Sequence, residues 1–388
     1  MSKLDDMINR LCPDGVEFVK LGEVAKVGTG SSNRQDSVEN GEYPFFVRSK
    51  NVLSSDTYEF DDESIIIPGE GGIGEIFHYV NGKYALHQRV YRINFHDDRI
   101  NVKFVYFYMY SYFKRFIMKK AVSATVTSIR KPMIENFEIP LPPLEVQEEI
   151  VRILDHFTQL EAELEAELDC RKRQYEYYRD QLLSFDKDNA VWLPITEVFE
   201  MRNGYTPSKN NAEYWEGGTI PWFRMEDIRQ NGRILSDSIQ HITMEGVKKG
   251  KLFKANSFII ATTATIGEHA LIIADSLANQ QFTNLMIRKS LSDEVVIKFL
   301  FHYMFIIDEW CKRNTNLSGF ASVDMNKFKK LEIPIPPLSE QERIVAILDR
   351  FEALTTSLQK GLPAEIAARR QQYEYYRDRL LSFKKKPA

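Results

Sequence analysis

The segment EIPLPPLEVQEEIVRILDHF (residues 138–157) occurs a second time in the same chain, as EIPIPPLSEQERIVAILDRF (residues 332–351). Each copy closes on nearly the same string, QYEYYRDQLLSF at 174–185 and QYEYYRDRLLSF at 372–383. Repetition this close sets the architecture before any local pattern is weighed. Each copy begins with a stop. Pro140, Pro142 and Pro143 cannot sit inside a helix and push their neighbours toward extended backbone. A helical pattern follows at once. Ile150, Ile153, Phe157, Leu160, Leu164, Leu168, Tyr175, Tyr178 and Leu182 recur at steps of three and four, broken only between Leu168 and Tyr175. Ile344, Ile347, Phe351, Leu354, Leu358, Ile366, Tyr373, Tyr376 and Leu380 repeat the pattern, with breaks at Leu358–Ile366 and Ile366–Tyr373. This is a narrow apolar seam on a charged rod, and no rod buries its own seam. The economical partner is the other copy, packed against it as an antiparallel coiled coil. A continuous helix over 145–185 would be roughly 60 Å long at about 1.5 Å per residue. The offset between copies is 194 at Phe157/Phe351 and 198 at Tyr175/Tyr373, so the second copy carries extra residues near Gly361-Leu362-Pro363-Ala364. Gly followed by Pro predicts two helices in series there, with Pro363 in the first turn of the second.

The duplication extends past the rods. FVKLGEVAKVGTG (residues 18–30) matches VWLPITEVFEMRNG (residues 191–204), and YPFFVRSKNV from Tyr43 matches IPWFRMEDI from Ile220 with one gap. SIIIPGEGGIGE from Ser64 matches SFIIATTATIGE from Ser257, and VKFVYFYMY from Val102 matches IKFLFHYMF from Ile297. The predicted fold is therefore α+β: a tandem duplication of a mixed α/β globular domain followed by a long helix. The boundaries read as 1–143, 144–186, 187–337 and 338–388. Helices are expected over residues 3–11, 102–118 and 297–312, and a hairpin turn at Asn81-Gly82.

The chain has 388 residues and a net charge of −4. The excess of acid lies in the first rod, where residues 144–186 hold five Lys or Arg against twelve Asp or Glu. The globular parts are near neutral and can each present a local basic face. Cys12, Cys170 and Cys311 are far apart and odd in number, which fits a reducing cytoplasm rather than a disulfide framework. No signal peptide or bilayer-spanning apolar run is expected. Gly69-x-Gly71-x-x-Gly74 matches a dinucleotide fingerprint on paper, but EIFHYVNGKYAL follows it and alternates instead of forming the required helix. No metal-ligand spacing, P-loop or nucleophile–base pattern is found, so the chain reads as a binder and not a catalyst.

The loops suggest what is bound. The first half offers Ser32, Asn33, Arg34, Arg48, Ser49, Lys50, Asn51, Gln88, Arg89, Arg130 and Lys131. The second offers Ser208, Lys209, Asn210, Arg224, Thr262, Thr263, Gln280 and Gln281. Arg, Lys, Asn and Gln pair with guanine and adenine edges, and Ser, Thr and Lys suit phosphates. Generic polar loops would show much the same composition, so these residues alone leave both readings open. Similar frameworks bearing different loops imply one task performed on two targets.

The two EIP(L/I)PPL segments, the two QYEYYRD helix ends, NGYTPSKNNAEYW…IPWFRMEDI (203–228) and CPDGVEFVKLGEV (12–24) together resemble the specificity (S) subunit of type I restriction–modification systems. The resemblance spans essentially the whole chain. It implies two target recognition domains joined by helical spacers, each domain reading one half of a bipartite double-stranded DNA site. It also implies two methyltransferase (M) subunits carrying S-adenosylmethionine, and restriction (R) subunits using ATP with magnesium. No cofactor is expected on this chain, no membrane is involved, and the location is cytoplasmic. The alternative is a coiled-coil scaffold that joins proteins without reading DNA.

Overall fold

The computed structural model describes residues 2–120, 128–316, 321–356 and 361–387. The chain forms two compact units, Met1–Glu165 with Glu365–Ala388, and Ala166–Ala364.

In the first unit, a six-stranded sheet has the order Ala25–Thr29, Val90–Phe95, Phe60–Pro68, His78–Leu86, Tyr43–Phe46, Leu53–Ser55. All neighbours are antiparallel except Tyr43–Phe46 beside His78–Leu86. The run Ile65-Ile66-Ile67 explains how the sheet sits. Ile65 and Ile67 join a core with Phe104, Phe107, Phe113 and Ile117 of the helix Val102–Lys120, while Ile66 points to Phe46, Tyr84, Leu86 and Val90 on the other face. A strand covered on both faces needs an unbroken apolar run, and this one has it.

The expected hairpin at Asn81-Gly82 does not form. His78–Leu86 is one strand running straight through both residues, in unbroken antiparallel register with Phe60–Ile66. Gly82 adopts φ +117° opposite Asp62 without reversing the chain. Seven paired positions with the neighbouring strand outweigh the local turn preference of Asn-Gly.

The second unit repeats the plan with its sheet divided. Five strands run in the order Phe199–Asn203, Phe282–Ile287, Ser257–Ala261, His269–Ile272, Ile234–Leu235. Three more run His241–Ile242, Ile220–Phe223, Leu277–Ala278. Phe258 and Ile260 pack on the helix Ile297–Arg313 side, whereas Ile259 and Ala261 face Trp222, Phe253 and Phe282.

The proline-rich starts of both repeats are short strands, as their composition requires. Glu138–Leu141 pairs with Glu17–Lys20, and Glu332–Ile335 with Val191–Pro194. The first rod is a single helix, Leu144–Leu182. The second is two, Leu338–Thr356 and Leu362–Leu380, the latter preceded by Gly361 at φ +92° and carrying Pro363 in its first turn.

Each rod is anchored by a buried glutamine. Gln147 accepts from the Asn101 N–H (2.9 Å) and donates to the carbonyls of Arg99 (2.8 Å) and Pro142 (2.7 Å). Gln341 does the same with Val296 N–H (2.8 Å), Glu294 (2.9 Å) and Pro336 (2.8 Å). In the first unit, Phe157 stacks on Tyr376 (5.5 Å between centroids), and Arg370 bonds Glu161 and Glu165. In the second, Tyr178 stacks on Phe351 at 5.7 Å. Of the other seam residues, Ile366 and Leu380 are buried, while Leu160, Leu164, Leu168, Tyr175, Leu182 and Tyr373 are half-buried. Leu354 is exposed, and Leu358 lies outside the described residues. The segment after the last helix returns to the first unit, where Val16 N–H bonds the Lys384 carbonyl (2.8 Å) and Lys386 N–H bonds that of Val16 (2.9 Å).

Candidate nucleic-acid interface

In the first unit four loops converge. The loop after Ala25–Thr29 is drawn onto the end of His78–Leu86 by Ser32 N–H to the Leu86 carbonyl (3.2 Å) and Gln88 N–H to the Ser32 carbonyl (2.9 Å). Gly30 permits this approach, since a Cβ there would fall 1.9 Å from the Leu86 oxygen. Gln88 donates to the Asn33 side chain at 2.5 Å. The loop carrying Arg48 is tied in by His87 N–H to the Phe46 carbonyl (3.0 Å), and the glycine-rich loop by Gly69 N–H to the Arg89 carbonyl (2.9 Å). Gly71, Gly72 and Gly74 all take positive φ in that turn, which accounts for the glycine spacing without any nucleotide.

The convergence places Glu70 between two guanidinium groups. Arg48 Nη1 lies 3.0 Å from its carboxylate and Arg89 Nη1 3.1 Å. Hydrogen bonds from Arg89 and Arg48 hold the Glu70 carboxyl below the usual carboxylate range. Arg48 and Glu70 line a concavity of about 410 Å³ together with Arg34, Ser49, Asn51 and His87. Burial, with the charges of Arg48 and Arg89, lowers the His87 pKa, and its Nδ1 accepts from the Arg89 backbone N–H at 3.0 Å. Arg130 adjoins this region through Ile129 N–H, which bonds the Gly69 carbonyl at 2.7 Å. Lys131 pairs with Glu135 at 3.5 Å on its own short helix, and Lys50 is exposed.

The second unit gathers the corresponding loops with other side chains. Gly204 repeats the close approach of Gly30, its missing Cβ 2.1 Å from the Asn279 oxygen. Gln280 accepts from Thr206 Oγ1 (2.5 Å), and Gln281 accepts from Asn279 Nδ2 (3.1 Å). Arg224 lies over the Trp222 ring at 5.9 Å, and its buried Nε has no hydrogen-bond partner among the described residues. Thr262 is buried with its hydroxyl 3.0 Å from that of Thr283, and Thr263 bridges Ser322. Ser208, Lys209 and Asn210 are exposed on the loop that Trp215 pins by donating to the Ser208 carbonyl (3.0 Å).

Glu70, His87, Thr206 and Asn279 escaped the sequence reading. A search for DNA-contacting residues favours cations and amides, so a carboxylate that positions two cations gives no signal by itself.

Two histidine–carboxylate pairs in the second unit resemble parts of catalytic sites. His269 Nδ1 lies 2.6 Å from Asp308, and His302 bridges Asp349 (2.8 Å) and the Tyr175 hydroxyl (3.2 Å). Burial dominates both, lowering His269 and bringing His302 to about 4. Lys298 stands 3.5 Å from Asp349 and 3.9 Å from Glu352, supplying the countercharge to that carboxylate group. The first pair ties the strand His269–Ile272 to the helix Ile297–Arg313, and the second ties that helix to the helices that carry Tyr175 and Asp349.

A family model for the type I restriction modification DNA specificity domain matches residues 13–169 and 190–368. The chain is 56% identical over 214 residues to the EcoprrI specificity subunit of Escherichia coli, a match covering 53% of each chain. That match therefore spans about half the length of the relative. It is 30% identical over 387 residues to a putative type I specificity subunit of Haemophilus influenzae, covering 95% of this chain and 96% of the other. The solved S subunit from M. genitalium shares the fold with a TM-score of 0.53 at 14% identity, covering 94% and 95% of the two chains. No described helix is long and apolar enough to cross a membrane. With the family model matching both halves and a full-length relative at that identity, the chain belongs to the type I restriction modification DNA specificity family.

Proposed function

We propose that this chain is the non-catalytic subunit that gives a type I restriction–modification complex its DNA sequence specificity. Each globular domain, 1–143 and 187–337, reads one half of a bipartite double-stranded site. The helical segments 144–186 and 338–388 form the spacers and dock two methyltransferase subunits. S-adenosylmethionine is carried by those subunits, and ATP with magnesium by restriction subunits, in the cytoplasm. One observation carries this reading: in both units the same framework gathers the same set of loops, and the side chains on those loops differ. Antiparallel pairing of the spacers is supported by contacts in the first unit, where Phe157 meets Tyr376 and the later Glu161 meets the earlier Arg370.

The test is to co-express the chain with its methyltransferase partner in a host lacking adenine methylation and to map methylated sites. Replacing residues 20–137 with those of another family member should change one half-site only. A change in both half-sites refutes independent reading. A scaffold that does not touch DNA would leave the sites unchanged and would show no steep salt dependence of DNA binding.

A further inference from the structure

We propose that Arg48, Glu70 and Arg89 form a base-reading triad that selects an A·T pair in the half-site of the first unit. One arginine fork donates to adenine N7 and the other to thymine O4, and the Glu70 carboxylate accepts from the adenine N6 amino group between them. The proposal rests on the DNA-reading function above and names the residues and the base pair.

The triad is unsuited to the alternatives. Its members come from three separate loops and meet at 3.0 and 3.1 Å, so sequence proximity does not explain the cluster. Their side chains are 47%, 39% and 57% exposed, and ion pairs that open to water add little to stability. A phosphate clamp would be weakened by a carboxylate at its centre, because Glu70 repels the phosphate that the arginines attract. A major-groove base pair is different. A·T offers an acceptor at adenine N7, a donor at adenine N6 and an acceptor at thymine O4, in that order, and it is met by two cationic forks flanking an acceptor. The carboxylate also holds the forks before DNA arrives, which lowers the ordering cost of binding.

The second unit supplies the internal comparison. Tyr43–Phe46 runs parallel to the strand holding Ala85 as Ile220–Phe223 runs parallel to the one holding Leu277, with Phe45 opposite Ala85 and Trp222 opposite Leu277. Counting from these pairs and from the Ser64/Ser257 match, Arg89 corresponds to Gln281 and Glu70 to Thr263, and Arg48 to Arg224 once the one-residue gap after Phe46 and Phe223 is allowed. The framework is kept and the carboxylate is not, as expected of residues that choose bases and do not hold the fold.

The experiment compares wild type with Glu70→Gln and Arg89→Gln, each assembled with methyltransferase subunits. Methylated sites are mapped, and binding is measured to the cognate duplex and to a random duplex. We expect each variant to lose preference at one A·T pair of the first half-site, with discrimination there falling about 10- to 100-fold. The second half-site and random-duplex binding should hold. An unchanged first half-site in both variants, or a first half-site without an A·T pair, overturns the triad. So does an equal fall in cognate and random binding, which marks a phosphate contact. Unaltered methylation of the second half-site shows that the variants are folded. If the wild-type complex yields no bipartite site, the DNA-reading function itself fails, whatever the variants do.

Discussion

Replacing Gln341 with alanine tests how the rods are tied to their globular units. Gln341 is completely buried at the start of the helix Leu338–Thr356 and closes three hydrogen bonds, to Val296 N–H and to the carbonyls of Glu294 and Pro336. Alanine removes all three at once and strands one N–H and two carbonyls. At about 0.5–1.5 kcal/mol net per bond, the loss is roughly 2–4 kcal/mol. Burial of the stranded groups pushes the value toward the upper end. All four tryptophans, Trp192, Trp215, Trp222 and Trp310, lie in the second unit, so their fluorescence reports on that unit alone. With a urea slope of about 2–3 kcal/mol per molar, the fluorescence midpoint should fall by roughly 1–2 M at unchanged slope. Gln147→Ala, the same lesion in the first unit, should leave the fluorescence midpoint in place and shift the transition seen by circular dichroism. A Gln341→Ala midpoint within about 0.3 M of wild type would refute the idea that these bonds anchor the rod.

Three further outcomes are expected. His302 titrates near 4 in the folded chain against about 6.5 unfolded, so the unfolded state binds the extra proton between those values. Stability of the second unit should be full above pH ~6.5 and should fall by up to roughly 3 kcal/mol toward pH 4. His302→Phe, which copies Phe107 of the first unit, should flatten that slope, and an equally steep slope in the variant would exclude His302 as its source. Truncating Phe157 to alanine removes the stack with Tyr376 and should cost the first unit about 2–4 kcal/mol, read as an earlier thermal transition; an unmoved transition would show that the stack is not stabilising. Inserting four residues after Glu167 adds about 6 Å of helix and should lengthen the unread gap by one or two base pairs while both half-sites stay the same. Mapped methylation sites with an unchanged gap would refute a role of the rod in spacing.

The architecture was legible because it is written twice. Proline runs, the helical spacing of the seams and the Gly361-Pro363 break each have a local physical cause, and the strands and helices they predict are present. Asn81-Gly82 misled because turn preference is local, whereas the partners that keep the strand straight there, Glu63 and Asp62, lie 18 and 20 residues away. The same limit hid Glu70. Its meaning comes from Arg48 and Arg89, 22 and 19 residues away in sequence and brought together only by the sheet. The glutamines in the repeated Gln-Glu pairs were visible in both copies, yet a polar residue on a charged helix gives no sign of burial until its three partners are known.

The first unit is built from two pieces of chain, residues 1–165 and 365–388, with the contiguous second unit inserted between them. On the ribosome this inverts the usual order. The segment made first must wait for the segment made last, because Leu380 and Leu381 complete the core that Leu4, Phe104 and Val146 begin. Bridging an insertion of about 200 residues costs on the order of 5 kcal/mol in closure entropy if the insertion is unstructured. A second unit that folds during synthesis shortens the effective loop and lowers that cost. The nascent first unit therefore spends the longest time incomplete, with its apolar seam uncovered. A premature stop before Glu365 would leave it permanently in that state, making truncated products substrates for chaperones and proteases, not weaker versions of the whole protein.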